Sequence, residues 1–587
     1  FSLYKTKDIL NLNNLKSMPK KIQPLFYTLF FIFVILASCK STKTPNNLNQ
    51  TPLESPNLTV KQTWQFKDFQ KDSIPGISLE KWYLQNKKKP KNKNLIIAVI
   101  DTQIDLKHED LQGIIWTNTK EIPNNGIDDD HNGYIDDING WSFTGTKSGA
   151  YVVWNRYEYV RIVEKWGPLF KGKSESEIEA EDIYKFKEYQ RALKTFKEKN
   201  EYYGNWHQSL QYRVAMFPLV KDTLKYFFPK EDYTYKQLDS MYKKYKINDK
   251  TYRQMRKDKD KDLGALVKYM MVGIESGEKK IEDIKDKETQ LDSVLNKNLN
   301  LNYNERLSIA DNPEILEKGY GNNKISNTIE GIRPIQDHNT MVSGLLSANR
   351  YNNKGIKGMT EAKIMPINIS PSGDEHDKDI AMAIRYAVDN GAKVINMSFG
   401  KEFSMHRDWV IDAFKYAEKH NVLLVHSSGN DSEDVDQNIS FPNDLDYDEK
   451  TEISNNFINV GSITQKFGAT LVSDFSNYGK QNVDLFAPGE DIYTTGSENR
   501  YKFESGTSFA APMVSGTAAL IWTYYPKLSV KQVKQIILDS GTPYNIEVII
   551  PGTTDKKVPF SELSKTGKVL NLYDAMQLAE RINKQNK

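Results

Sequence analysis

The chain has 587 residues, a length that exceeds one ordinary core and predicts several domains or one domain with a large insertion. Its 80 Lys and Arg residues nearly balance its 77 Asp and Glu residues, and a net charge of +3 gives no electrostatic support for nucleic-acid binding. A single cysteine excludes an internal disulfide framework.

The first predicted element is an export signal. A basic stretch after Met18 is followed by a short apolar run at 25–36 and by small residues before Cys39. This order describes a secretory signal, and the apolar run is too short for a transmembrane helix. We therefore expect residues 1–39 to form the signal region, with residues 1–17 upstream of the true start.

The residues that end this signal, Leu36-Ala37-Ser38-Cys39, resemble the lipobox of bacterial lipoproteins. The resemblance implies cleavage before Cys39 and lipidation of this residue, and more than one acyl chain there would anchor the protein stably. We expect an exported protein that is lipid-anchored in the bacterial cell envelope, at the outer membrane or the periplasmic face. The alternative is an incidental cysteine.

Composition divides the rest of the chain. Residues 40–75 are interpreted as a tether, because Asn, Thr, Pro, Ser and Lys dominate its first part. Charged residues and tyrosines dominate residues 151–325, where glycine is scarce, a composition typical of exposed amphipathic helices. The alternation of strand and helix signals is confined to the flanking parts, 76–150 and 326–587.

These flanking parts alternate between strand and helix patterns. The nearly continuous apolar run at 94–100 indicates a fully buried parallel strand that ends at Asp101. Further strands are predicted at 362–369, 394–397, 422–426 and 456–463, with helices at 380–390 and 409–420. The alternation predicts an α/β fold, a doubly wound and mostly parallel sheet flanked by helices. The charged block is then a large helical insertion into this fold.

Three polar residues occupy positions suited to catalysis in such a fold. Asp101 follows the first strand, at the edge of the sheet where α/β proteins place their sites. His338 begins a helix of small residues. Ser508 begins an apolar helix, whose free N–H groups and positive dipole end suit a developing oxyanion. Asp, His, Ser is a recorded chain order for a catalytic triad.

The chain resembles the subtilisin-like serine proteases, or subtilases, over roughly half its length, at about 94–141 and 336–579. Six motifs carry the resemblance in family order, at 101–102, 336–344, 392–400, 427–430, 484–489 and 506–512. The resemblance implies a serine endopeptidase that acts on protein or peptide substrates through an acyl-enzyme. It requires no cofactor for the chemistry.

The resemblance also implies a role for each site residue. His338 takes the proton of Ser508 and returns it to the leaving amine, while Asp101 fixes the tautomer of the imidazole. Asn430 aligns with the asparagine of the family's oxyanion hole. Ser398, Phe399 and Gly400 match the edge segment that pairs with extended substrate, and Phe399 would line a pocket.

Two family glycines are replaced beside the triad. The pattern Asp-Thr-Gly becomes Asp101-Thr102-Gln103, and His-Gly-Thr becomes His338-Asn339-Thr340. Both replacements add a side chain where backbones pack closely. They leave open a catalytically impaired scaffold that binds a partner through the insertion. An esterase or a peptide ligase with the same triad is a further alternative.

An acidic loop follows the first strand. Asp128, Asp130 and Asn132 have the D-x-D-x-N-G spacing of an EF-hand-type calcium loop, and Asp136 would close the coordination shell. No glutamate stands at the twelfth position, where Asn139 lies. A structural calcium ion is one interpretation of this loop. The other is a solvated acidic turn whose carboxylates bond to backbone N–H groups.

The insertion carries many aromatic residues among its charges, but acidic residues are too frequent there for a nucleic-acid groove. We expect a helical subdomain that packs over the core near the cleft. Because it enters the chain between Asp101 and His338, a sharper hypothesis is that it restricts access to the site. We expect a monomer, and the sequence identifies neither the physiological substrate nor the preferred side chain before the scissile bond.

Overall fold

The structure, a computed structural model, describes residues 58–278, 280–327 and 337–585. The predicted signal region, Cys39 and the first part of the tether lie outside the described residues, so the lipidation of Cys39 stays a prediction. Among the described residues, no helix combines the length and the apolar character that crossing a membrane requires.

A nine-stranded sheet forms the centre of the α/β part, with the strand order β10-β13-β7-β6-β5-β4-β1-β3-β2. Neighbouring strands pair in parallel, except for the antiparallel pair β10–β13. Its strands are β1 (Ile96–Asp101), β2 (Trp141–Ser142), β3 (Lys363–Asn368), β4 (Val394–Met397), β5 (Leu423–Ser427), β6 (Phe457–Ile463), β7 (Leu485–Pro488), β10 (Thr542–Pro543) and β13 (Lys568–Val569). Two short hairpins pair β8 (Ile492–Gly496) with β9 (Arg500–Glu504) and β11 (Glu547–Ile549) with β12 (Lys557–Pro559).

Both faces of the sheet are covered. Alternate residues of β1 enter two different hydrophobic cores, Ile97 and Val99 on one face and Ala98 and Ile100 on the other. The first core contains α10 (His338–Ser347), α13 (Thr507–Tyr524), α14 (Val530–Ser540), α15 (Leu572–Gln585) and the short α3 (Leu79–Gln85). The second contains α11 (Asp377–Asp389) and α12 (Arg407–Lys419). The predicted doubly wound, mostly parallel α/β fold is confirmed.

Residues 58–75 are folded, so the interpretation of this stretch as tether is wrong. It contains the short helices α1 (Val60–Thr63) and α2 (Phe69–Asp72), and Trp64 between them is fully buried. The indole Nε1 of Trp64 donates to the carbonyl oxygen of Asp491 at 3.2 Å. A few large apolar side chains hold this polar segment against the core, and the average composition of the segment does not reveal them.

The charged block is helical, as predicted, and has a hydrophobic cluster of its own. Its helices are α4 (Glu158–Phe170), α5 (Ile183–Lys225), α6 (Tyr235–Tyr245), α7 (Tyr252–Asp258), α8 (Leu263–Glu275) and α9 (Ile281–Ser293). The return segment rejoins the sheet beside β2, where Ser142 and Asn322 exchange backbone hydrogen bonds of 2.8 and 3.0 Å.

The topology gathers the predicted site residues at one edge of the sheet. Strand β1 ends at Asp101, and the neighbouring parallel strands β4 and β5 lead to Ser398 and Asn430. His338 begins α10, and Ser508 is the second residue of α13. The carboxyl ends of parallel strands form the edge at which α/β proteins place their sites.

Candidate active site

The carboxylate of Asp101 contacts the imidazole of His338 directly. Nδ1 of His338 lies 2.8 Å from Oδ1 and 2.8 Å from Oδ2 of Asp101. The backbone N–H of Thr102 also donates to Oδ1 of Asp101, at 2.6 Å. Only 2% of the Asp101 side chain and 11% of the His338 side chain are exposed. An imidazole that donates its Nδ1 proton to a carboxylate has Nε2 as its proton acceptor.

Asn339, which replaces a family glycine, ties the loop after β1 to helix α10. Its Nδ2 donates to the carbonyl oxygen of Thr102 at 2.9 Å, and its backbone N–H donates to Oγ1 of Thr102 at 3.2 Å. Its Oδ1 accepts from the hydroxyl of Ser343 at 2.8 Å. The side chain is fully buried with both ends of its amide bonded, so it stabilises the junction between Asp101 and His338. Gln103, the other replacement, is also buried.

Ser508 lies in the first turn of α13 and is partly exposed. Its hydroxyl donates to the carbonyl oxygen of Ser398 at 3.2 Å, and the hydroxyl of Ser398 donates to the carbonyl oxygen of Ser508 at 2.9 Å. The imidazole of His338 packs beside the next residue of this helix, with 5.8 Å between its ring centre and that of Phe509. A proton transfer to His338 requires the Ser508 hydroxyl to donate to the imidazole in place of Ser398. Catalytic hydrogen bonds often align only when substrate binds.

Asn430 lies beside the N-terminus of α13 and is exposed. Its Oδ1 accepts from the backbone N–H of Thr507 at 2.8 Å and from the hydroxyl of Thr507 at 3.0 Å, which fixes the orientation of the amide. A Cβ atom at Gly506 would lie 3.6 Å from Nδ2 of Asn430 and 3.7 Å from the backbone N of Ser508. Oδ1 of Asn430 lies 3.8 Å from the same point. The Asn430 amide and the backbone N–H of Ser508 thus lie on the same side of Gly506, and both are donor types that an oxyanion hole uses.

The segment from Ser398 to Gly400 leaves the end of β4. Ser398 is buried, Phe399 is partly exposed and Gly400 is exposed. Burial lowers the pKa of His426 to about 4, and Nε2 of this neutral ring lies 2.7 Å from the carbonyl oxygen of Phe399. An exposed backbone edge of this kind can add an extended peptide as a further strand.

The acidic loop brings together only part of the predicted calcium set. Carboxylate oxygens of Asp128 and Asp130 lie within 4.8 Å of each other and of Glu121, which precedes the loop. All three carboxylates also accept from backbone N–H groups of the loop, at 2.8 to 3.2 Å, as the interpretation of a solvated acidic turn predicts. Asp136 likewise accepts from two backbone N–H groups at 3.1 and 3.0 Å, and Oδ1 of Asn132 accepts from a backbone N–H at 2.8 Å. The spacing motif missed Glu121 because folding, and not the spacing within the loop, brings this residue into the group.

Comparison with known proteins supplies independent findings. A model of the Subtilase family matches residues 92–563. The chain is similar to the cell wall-associated protease of Bacillus subtilis, with 31% identity over 219 residues that cover 37% of this chain and 22% of that protein. The thermophilic serine proteinase of Bacillus sp. (strain AK1) is 36% identical over 190 residues, which cover 32% of this chain and 43% of that protein. The major intracellular serine protease of Bacillus subtilis is 32% identical over 233 residues, which cover 38% of this chain and 68% of that protein. The chain thus spans less than half the length of the first two relatives.

Proposed function

The chain belongs to the subtilase family, and on that premise we propose that it is a serine endopeptidase that hydrolyses peptide bonds through an acyl-enzyme. The observation that carries the proposal is the buried Asp101–His338 pair, with both carboxylate oxygens 2.8 Å from Nδ1, beside the helix that bears Ser508. Its substrates would be proteins or peptides.

In the proposed reaction, Oγ of Ser508 bonds to the carbonyl carbon of the substrate while Nε2 of His338 takes the hydroxyl proton. The carbonyl oxygen becomes an oxyanion and accepts hydrogen bonds from Nδ2 of Asn430 and the backbone N–H of Ser508. The C–N bond then breaks as His338 returns the proton to the leaving amine. Water hydrolyses the resulting ester by the same route, and Asp101 stabilises the imidazolium in both halves.

Whether the enzyme is active depends on how the residues that replace the two family glycines fit beside the triad. A degraded site would leave Asn339 obstructing the junction between the catalytic loops, whereas its amide bonds to Thr102 and Ser343. This bonding supports an active enzyme over a scaffold that only binds a partner.

A fluorophosphonate probe, which reacts with activated serines, tests the proposal. We expect the native protein to be labelled, the heat-denatured protein to remain unlabelled, and mass spectrometry to locate the adduct on Ser508. A native, folded protein that resists labelling would contradict the proposal and favour the binding scaffold.

We also propose a structural calcium ion at Glu121, Asp128 and Asp130. Their carboxylate oxygens lie within 4.8 Å of one another, and besides the backbone N–H groups that bond to them they would offer oxygen ligands to a hard divalent cation. Saturating calcium is expected to raise the Tm by roughly 5 °C, since a ligand that binds only the folded state stabilises it. Asp130→Asn should abolish the rise in a thermal melt, whereas Asp129→Asn, outside this carboxylate group, should retain it. An unchanged Tm with calcium would refute the ion.

A further inference from the structure

The run from Ser398 to Phe403 is held at both of its ends. At the first end, Ser398 exchanges hydrogen bonds with Ser508, so the run is joined to the helix that bears the proposed nucleophile. At the other end, Lys401 and Phe403 are buried against the helical insertion. Phe399, Gly400 and Glu402 reach the surface. Between these ends, Nε2 of His426 contacts the carbonyl oxygen of Phe399 at 2.7 Å, and the backbone of Lys401 pairs with that of Phe441. The part of the run proposed to bind substrate thus lies between the contacts with Ser508 and those with the insertion.

The first contact with the insertion is made by the buried ammonium group of Lys401. Its Nζ donates to the carbonyl oxygen of Glu375 at 2.8 Å and lies 2.7 Å from the carboxylate of Asp377. It also lies 3.5 Å from the carboxylate of Glu158, the first residue of helix α4 in the insertion. Burial alone would raise the pKa of Glu158, but the charges of Arg161 and Lys401 outweigh it and hold that pKa below its usual value. Lys401 therefore faces a charged carboxylate of the insertion.

Two insertion helices, α4 and α5, contact the residues after Lys401. Phe403 is fully buried in the hydrophobic cluster of the insertion. The guanidinium carbon of Arg191, on helix α5, lies 3.6 Å from the centre of the Phe403 ring, and Nη2 of Arg191 donates to the carbonyl oxygen of Glu402 at 3.0 Å. The backbone N–H of Met405 donates to Oε1 of Glu158 at 2.9 Å. A cation over an aromatic face and these two hydrogen bonds together restrain this backbone.

We infer that the insertion positions the edge segment 398–400 for peptide binding, with Glu158 and Arg191 as positioning residues. The inference rests on the proposed endopeptidase function. A backbone edge binds an extended peptide through a ladder of hydrogen bonds, each of which depends on the placement of the edge. A displacement of about 1 Å in a positioning element can cost about a hundredfold in rate. The insertion therefore supports the substrate edge from behind, a role distinct from covering the cleft.

Arg191→Ala is the primary test, because the side chain is 42% exposed; the substitution also removes the partner of Glu188, whose side chain is 13% exposed. Glu158→Gln is the second variant, which keeps the size of the side chain and an oxygen for Met405 while removing the charge that faces Lys401. Lys185→Ala is the matched control. It lies on the same helix α5, is 54% exposed and pairs with Asp182.

Two measured rates distinguish a loss of peptide positioning from a general loss of folding or of Ser508 reactivity. The first is the rate of fluorophosphonate labelling, which requires an activated Ser508 but no bound peptide. The second is kcat/KM for a peptide with at least four residues before the scissile bond. We expect Arg191→Ala and Glu158→Gln to label within about twofold of the unsubstituted protein while peptide kcat/KM falls about tenfold or more, mainly through KM. Lys185→Ala should change neither rate.

The inference is overturned if peptide kcat/KM of folded Arg191→Ala equals that of the control, or if labelling and hydrolysis fall in parallel. Failure of the proposed function has a different signature, since the unsubstituted protein would then resist labelling. In that case the affinity for a fluorescent peptide, measured by anisotropy, is the deciding quantity. Arg191→Ala must weaken this affinity about tenfold relative to Lys185→Ala, and equal affinity or no binding to any of the proteins overturns the inference.

Discussion

Replacing Ser508 by alanine is expected to lower kcat for peptide hydrolysis by about a million-fold, the size of the effect known for subtilisin itself. The substitution removes the atom that forms the acyl-enzyme, and nothing else in the site can form that ester. KM should change little, because Ser398 to Gly400 and the rest of the cleft are retained. Steady-state kinetics on a chromogenic peptide, together with the complete loss of fluorophosphonate labelling, would measure this result.

A second serine provides the control for this prediction. The hydroxyl of Ser540 contacts the carbonyl oxygen of Ile537 within its own helix α14 and has no proposed role in the chemistry. Ser540→Ala should therefore keep the kcat and the labelling of the unsubstituted protein. Peptide hydrolysis by Ser508→Ala within a hundredfold of the unsubstituted protein would show that another residue is the nucleophile.

Replacing Asp101 by asparagine is expected to lower kcat by about ten thousand-fold, as the same change does in other serine proteases. Both carboxylate oxygens lie 2.8 Å from Nδ1 of His338, so Nδ1–H is the tautomer that the carboxylate selects. An asparagine amide can donate to Nδ1, which moves the imidazole proton to Nε2. Nε2 then cannot accept the proton of Ser508, and the amide does not stabilise the imidazolium as a carboxylate does. Kinetics at constant pH, with circular dichroism to verify folding, measures the loss.

Asp105 offers a matched control, since only 2% of it is exposed, as for Asp101. Its carboxylate accepts from the backbone N–H groups of Lys107 and Glu498, at 2.9 and 2.8 Å. Asp105→Asn should leave kcat within about tenfold of the unsubstituted protein, because it perturbs the same region without touching the imidazole. If folded Asp101→Asn lost no more activity than this control, a group other than Asp101 would have to orient His338.

The sequence alone predicted the helical nature of the insertion and five adjacent strands of the central sheet, but not β2, β7, β10 and β13. The apolar run before Asp101 became β1, and the apolar, alanine-rich run after Ser508 became α13. Both predictions depend on patterns of apolar residues over short segments, and such patterns are visible in the local sequence. Local composition gave a wrong interpretation of 58–75, a polar stretch that was assigned to a tether but is anchored by the buried Trp64.

The candidate site also has a part that the sequence predicted and a part that it could not predict. Motif order and residue type were enough to nominate Asp101, His338 and Ser508, because the chemistry of acyl transfer demands those groups. The partners of Asn339 could not be predicted, since its amide bonds to Thr102, which lies far away in the chain. Glu121 lies close to the acidic loop in the chain, but at a position that the spacing motif does not include, so the motif could not identify it.

The sequence by itself determined which residues could do chemistry and which segments form strands and helices. Only the tertiary structure decided that Asn339 stabilises the catalytic loops and that the insertion, through Glu158 and Arg191, binds the residues that follow Gly400. Hydrophobic periodicity fixes which side of an element is buried, whereas contacts between distant elements depend on how the elements pack. Buried polar groups must find partners wherever packing places them, and no local pattern specifies that position.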